Sequence, residues 1–98
     1  MQKLTEEQMK KGRDRYLASD FKARAVVDAL TEREADILGI PLEDHRRIKT
    51  MELLRQHANS IGVSPDELFW SLCFDSAEEF NEFVRQRDEA IQRNLGLA

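Results

Sequence analysis

The sequence has little of what interrupts a helix. It contains four glycines and two prolines among 98 residues, and it has no run of β-branched residues. Alanine, leucine, glutamate, arginine and glutamine are plentiful instead, and these residues favour helices. With 41% hydrophobic and 35% charged residues, the composition is that of a globular domain rather than a disordered tail. We therefore predict an all-α fold, a compact bundle of five to six short helices, in a single domain over residues 1–98.

Cysteine and long apolar segments are also scarce. Cys73 is the only cysteine, so the chain cannot form an internal disulfide. Because Cys73 stands in an apolar run, we expect its thiol to be buried. No apolar stretch approaches the roughly 20 residues that a transmembrane helix needs, and the first residues lack the features of a signal peptide. These observations predict a cytoplasmic protein that does not associate with a membrane.

Residues suited to catalysis or metal binding lie too far apart to share a site. His45 and His57 are the two histidines, and on one continuous helix they would lie about 18 Å apart. The sequence has no glycine-rich phosphate-binding loop and no nucleophile next to a base. Its acidic pairs stand at predicted helix starts, where the helix dipole favours negative charge. We therefore expect no enzyme activity, no metal and no cofactor.

Capping motifs predict where the helices begin and end. Thr5 and Thr31 begin capping boxes, with Gln or Glu three residues later, and Ser64 precedes a proline at a first helical position. Gly62 fits a left-handed helix end. Either Asp75 or Ser76 can cap the last helix. The motifs predict six helices, over residues 5–18, 20–30, 31–39, 42–61, 64–74 and 76–94.

Apolar periodicity predicts which faces are buried. The clearest stripe lies in segment 42–61 and has residues three or four positions apart, namely Ile48, Met51, Leu54, Ala58 and Ile61. Segment 5–18 has few large apolar residues, so residues 1–19 are a candidate for a loosely packed N-terminal arm. Segment 68–74 is apolar nearly all round, which places it either in the centre of the bundle or beneath a second chain.

Two segments contain the elements of a helix-turn-helix, which needs a small residue in its first helix and a glycine at the turn. One runs from Ala35 through Gly39 into segment 42–50, and the other runs from Ala58 through Gly62. The second, with its sequence Gly-Val-Ser-Pro-Asp-Glu-Leu, resembles the last two helices of Cro- and lambda-repressor-like DNA-binding domains. The first resembles the helix-turn-helix of the same family. Together the resemblance covers residues 31–70.

This resemblance implies a helix-turn-helix transcriptional regulator that binds duplex DNA as a homodimer. Arginine pairs well with guanine and phosphate, and a basic N-terminal segment would add contacts to the DNA backbone. The alternative for these side chains is a solvated charged face. The candidate nucleic-acid-binding residues are Arg46, Arg47, Lys49, Thr50, Lys10, Lys11, Arg13 and Arg15.

An uneven charge distribution supports a different function. The net charge is −4 overall, but it is +1 through Lys49 and −5 after it. A chain with a negative net charge is poorly suited to non-specific binding of nucleic acid, because it repels the phosphate backbone. The alternative is a protein-only interaction module (an antirepressor, inhibitor or adaptor) that uses the aromatic 68–74 helix and the acidic C-terminal half. Its candidate interface residues, also expected at a dimer contact, are Trp70, Phe74, Phe80, Val84 and Ile91.

Overall fold

The computed structural model describes residues 3–96, and these residues form helices joined by short turns. Within this part of the chain no strand is present, so the all-α prediction is confirmed. The helices are α1 (Glu6–Ser19), α2 (Phe21–Asp28), α3 (Glu32–Leu38), α4 (Leu42–Ile61), α5 (Pro65–Cys73) and α6 (Ala77–Asn94).

Side-chain caps set the helix boundaries. At the start of α1, the hydroxyl of Thr5 accepts from the amide of Gln8 at 3.1 Å, and the Gln8 side chain accepts from the amide of Thr5 at 2.9 Å. Serine or threonine caps also begin α3, α5 and α6. Gly39 and Gly62 end α3 and α4 with φ of 75° and 76°, a conformation that favours glycine. The boundaries predicted from these motifs are confirmed to within two residues.

α1 packs along α5, and this is the most extensive contact between two helices. The helices approach most closely at Gly12, where an added Cβ would lie 2.6 Å from the Sγ of Cys73 and 3.0 Å from the ring of Phe69. The prediction of a loosely packed arm was therefore wrong for residues 3–19. The prediction counted large apolar side chains. The contact instead depends on Gly12, which has no side chain, and on the buried ring of Tyr16.

The apolar core lies where α1, α2, α4 and α5 meet. Its central cluster consists of Tyr16, Ala23, Leu54, Phe69 and Cys73. Since α5 contacts α1, α4 and α6, segment 68–74 takes the first of its two predicted placements, in the centre of the bundle. The Cys73 thiol is buried as predicted, and burial raises its pKa to about 11.

α4 is one unbroken helix of 20 residues, but its buried stripe differs from the predicted one. The buried residues are Thr50, Leu54 and Ala58. Ile48 and Ile61 are 54% and 55% exposed, so the predicted stripe was wrong at both ends. The buried face turns toward Thr50, whose hydroxyl donates to the carbonyl oxygen of Arg46 at 2.7 Å. This internal hydrogen bond allows a polar side chain to be buried without an unpaired group.

α6 rests on α5 through a cluster of aromatic rings. The ring of Phe83 lies 5.7 Å from that of Trp70 and 5.2 Å from that of Phe74, and Phe74 also lies 6.2 Å from Phe80. The guanidinium of Arg87 stacks 4.7 Å above the Trp70 ring. Within residues 3–96, α6 packs against no other helix, and the molecule is elongated, with extents of 51 × 27 × 23 Å.

Candidate functional site

A groove opens between α1, α2 and α4, and α5 lies at its base. Its volume is about 1060 Å³. The largest apolar side chains along the groove, most of them half-buried or buried, are Met9, Leu17, Val27, Met51 and Phe69. Ile48, more than half exposed, stands at the edge. We call this feature the α1–α4 groove, and its size is typical of a site that receives a ligand or a peptide.

The walls of the α1–α4 groove carry charges of both signs, with carboxylates in excess. Five cations line the groove, namely Lys10, Arg13, Arg46, Arg47 and Arg55. Seven carboxylates line it as well, namely Glu6, Glu7, Asp14, Asp28, Glu43, Asp44 and Glu52. The local charge of the lining is therefore −2, which attracts a ligand with a basic surface more than it attracts phosphate.

The residues predicted on α4 to contact DNA have different surroundings. Thr50 is only 2% exposed, so its prediction as a DNA contact was wrong. Arg47 pairs with Asp44 at 3.3 Å, and the ammonium of Lys49 lies 3.5 Å from a carboxylate one turn along α4. Arg46 is exposed and makes no ion pair within the described part of the chain. Of the four, only Arg46 presents a cation that no carboxylate neutralises.

The predicted basic residues of α1 divide into two pairs. Arg15 donates to the carbonyl oxygens of Leu72 and Phe74 at 2.8 and 2.7 Å and forms an ion pair with Asp75. Lys11 lies 3.7 Å from the same carboxylate, and Arg15 and Lys11 together lower the pKa of Asp75. These two cations therefore hold the end of α5. The other pair, Lys10 and Arg13, lines the α1–α4 groove with Arg46 and Arg47.

The corner between α3 and α4 has the elements that suggested a helix-turn-helix. Ala35 is buried against α4, Gly39 forms the left-handed turn, and His45 lies 3.6 Å from the carboxylate of Glu34. The second helix continues without a break to Ile61. The repressor resemblance implies a short recognition helix, and the long α4 differs from it. The resemblance itself stays a prediction.

The aromatic residues predicted to bind a partner mostly serve the contact between α5 and α6. This contact half-buries Trp70, Phe74 and Phe80. Further along α6, Val84 is also half-buried, and Ile91 is exposed. Phe83, the most deeply buried residue of α6, was missed. Its position three residues after Phe80 was the signal that could have identified it.

A group of titratable side chains near the start of α2 is explained by helix capping. The hydroxyl of Tyr16 donates to Asp20 at 2.8 Å, and its ring lies 6.1 Å from that of His57. Asp20 accepts from the amide of Ala23 as the cap of α2, and this hydrogen bond is the main cause of its lowered pKa. Within residues 3–96, no cluster of three or more His, Cys, Asp or Glu residues could bind a metal, and no helix has the length and apolar character to cross a membrane.

A family model matches the whole chain, residues 1–98. The chain belongs to DUF6388, a family of unknown function. No curated protein and no solved structure matches it. The DUF6388 match covers α1 and α6 as well as the helices between them, so both the α1–α4 groove and the α5–α6 contact lie in the matched region.

Proposed function

We propose that this chain is a protein-interaction module that binds an amphipathic helical segment of a partner protein in the α1–α4 groove. The observation that carries the proposal is the groove itself, with an apolar base flanked by charged side chains. Helix-binding grooves commonly have this construction, and methionine adapts to different partner side chains. Met9 of α1 and Met51 of α4 supply that adaptability in the lining of the groove.

The charge of the groove specifies the partner further. Because carboxylates outnumber cations along its walls, a helix with an apolar face and basic flanks fits better than an acidic one. The proposed surface differs from the aromatic 68–74 helix suggested by the sequence, because Trp70 and Phe74 are engaged by α6. The proposed setting is the cytosol, in keeping with a chain whose single cysteine cannot form an internal disulfide.

Duplex DNA is the second candidate ligand. It is supported by the α3–α4 corner and by two exposed arginines on α4, Arg46 and Arg47. It is opposed by the pairing of Arg47 with Asp44 and by the acidic lining around both. Binding of DNA predicts a steep loss of affinity as salt rises, and loss of binding in the Arg46→Ala, Arg47→Ala double variant.

Photo-crosslinking at two matched isoleucines tests the proposal. Ile48 lines the α1–α4 groove and Ile61 does not, yet their exposures of 54% and 55% are nearly equal. With a photoreactive amino acid at position 48, we expect crosslinks to a defined partner, and position 61 should give none. Ile48→Glu should weaken binding of the purified partner about tenfold, because burial of an isoleucine contributes about 1.5–3 kcal/mol.

The matched variant Ile61→Glu controls for the added charge and should leave affinity unchanged. Equal crosslinking from positions 48 and 61 would place the partner outside the groove. An unchanged affinity for the purified partner in Ile48→Glu would have the same meaning. Circular dichroism of both variants checks that the helices are retained.

A further inference from the structure

Arg13 differs in its surroundings from the other cations that line the α1–α4 groove. Within the described residues it is half-buried, whereas the other four cations are exposed. Six of the seven carboxylates of the lining are exposed as well, and the seventh, Asp44, pairs with Arg47 at 3.3 Å. Arg13 makes no hydrogen bond or ion pair with residues 3–96. Its charge is therefore partly withdrawn from solvent and is not neutralised.

The helical neighbours of Arg13 do not include a carboxylate. Side chains three or four positions apart on a helix face one another, whereas adjacent ones such as Arg13 and Asp14 do not. Each of the other groove cations has a carboxylate at that spacing: Lys10 has Glu6, Glu7 and Asp14, Arg46 has Glu43, Arg47 has Asp44, and Arg55 has Glu52. The corresponding positions around Arg13 hold Met9, Lys10, Tyr16 and Leu17.

The guanidinium of Arg13 lies near the base of the groove and is open to it. Burial raises the pKa of Cys73 to about 11, and the positive charge of Arg13 partly opposes this rise, so the charge lies close to α5. Each nitrogen of Arg13 keeps some exposure, since within residues 3–96 the enclosed side-chain nitrogen without a partner is the Nε of Arg87. Water in the open groove can therefore reach the guanidinium.

A helix that fills the groove removes this water. The exposed cations of the lining can turn their charged ends toward solvent at the edge, but a half-buried guanidinium beneath a bound helix cannot. A buried cation without a partner is strongly unfavourable. We propose that the partner helix carries a glutamate or aspartate beside its apolar face, and that this carboxylate accepts hydrogen bonds from Arg13. The inference rests on the proposed binding of a helix in the groove.

The charge of the groove favours a carboxylate over a phosphate as the acceptor. The lining has a net charge of −2, so a group with a single negative charge is repelled less than a phosphate. A carboxylate also matches the two parallel N–H groups of a guanidinium. The basic flanks of the partner then face the exposed carboxylates of the lining, and its one acidic residue faces Arg13.

Paired peptides test the inference by isothermal titration calorimetry. Each is helical, with a leucine face, lysine flanks and one glutamate at one of several positions beside the leucines, and its match has glutamine there. At one position at least, the glutamate peptide should bind the unaltered chain about tenfold more tightly than its match, because a hydrogen bond between charged groups replaces the lost water. Arg13→Gln should abolish this difference. The glutamine peptide should bind Arg13→Gln at least as tightly as the unaltered chain, since no cation is then buried.

Arg33→Gln is the matched control. It removes the same charge from an exposed arginine of α3 that does not line the groove, so the tenfold preference for glutamate should remain. Circular dichroism checks that both variants keep their helices. The comparison of peptides on the unaltered chain does not depend on the folding of either variant.

The outcomes separate this inference from the proposed function. Binding of the peptides with no preference for glutamate at any position would overturn the inference and leave binding in the groove standing. A preference that persists in Arg13→Gln would do the same. If no peptide binds, the proposed function fails, and the inference fails with it.

Discussion

Gly12 shows how a single missing side chain determines the packing of a helix. The backbone of α1 approaches α5 so closely there that a methyl group would overlap the Sγ of Cys73. Glycine normally costs a helix about 1 kcal/mol relative to alanine. At this position the cost is offset by the close packing of α1 on Phe69 and Cys73. The close packing of α1 against α5 thus depends on a residue that has no side chain.

Gly12→Ala should therefore destabilise the fold, despite the better helix propensity of alanine. Overpacking of a close contact costs about 1–3 kcal/mol. The gain in helix propensity is about 1 kcal/mol, so the cost exceeds it except at the lower end of that range. Urea unfolding followed by circular dichroism measures the change. Cys73→Ala removes the overlapping sulfur, so Gly12→Ala should be less destabilising in that background. Strictly additive effects of the two changes would mean that the close approach is not the cause.

At the scale of the helices, the sequence predicted where each one lies better than which face it buries. Boundaries depend on local hydrogen bonds, such as the reciprocal pair between Thr5 and Gln8, and local sequence contains the information for them. Buried faces depend on the neighbouring helices. α4 buries Thr50 and exposes Ile48 and Ile61 because its contacts come from four different helices, and no local pattern encodes their directions.

The same reasoning explains which parts of the candidate site were predicted. Arg46 and Arg47 were correctly expected on the surface, as their charge requires. The pairing of Arg15 with the end of α5 joins residues about 60 positions apart, and no sequence motif indicated it. The α1–α4 groove likewise combines side chains from four helices, so it could be found only once their packing was known.

α6 depends on α5 alone, so it should be the helix that separates most easily from the bundle. Phe83→Ala removes the ring that contacts both Trp70 and Phe74. We expect faster amide hydrogen exchange throughout α6, with little change in α1, α2 and α4, because the lost contacts belong to one helix pair. Phe21→Ala is the matched control, since Phe21 is 81% exposed and should have almost no effect. Uniformly faster exchange in all helices would show that α6 is integral to the core.

On the scale of the whole molecule, charge and shape together distinguish the two candidate ligands. The chain is acidic overall, and the cations predicted for DNA do not form one continuous basic surface. Lys11 and Arg15 are held at Asp75, Arg47 and Lys49 pair within α4, and the remaining cations stand among the carboxylates of the α1–α4 groove. This arrangement suits a protein segment with an apolar face better than a phosphate backbone.

The central claim, that the α1–α4 groove binds a helix, is tested most directly by amide chemical shifts in a titration. The probes are a helical peptide with a leucine face and lysine flanks, the same peptide with glutamate flanks, and a DNA duplex. We predict that the lysine peptide shifts the amides around Met9, Leu17, Ile48 and Met51, that the glutamate peptide binds more weakly, and that the duplex causes no saturable shift at physiological salt. Saturable shifts at Arg46 and Arg47 with the duplex, and no shifts around Met9, Leu17, Ile48 and Met51 with either peptide, would contradict the account.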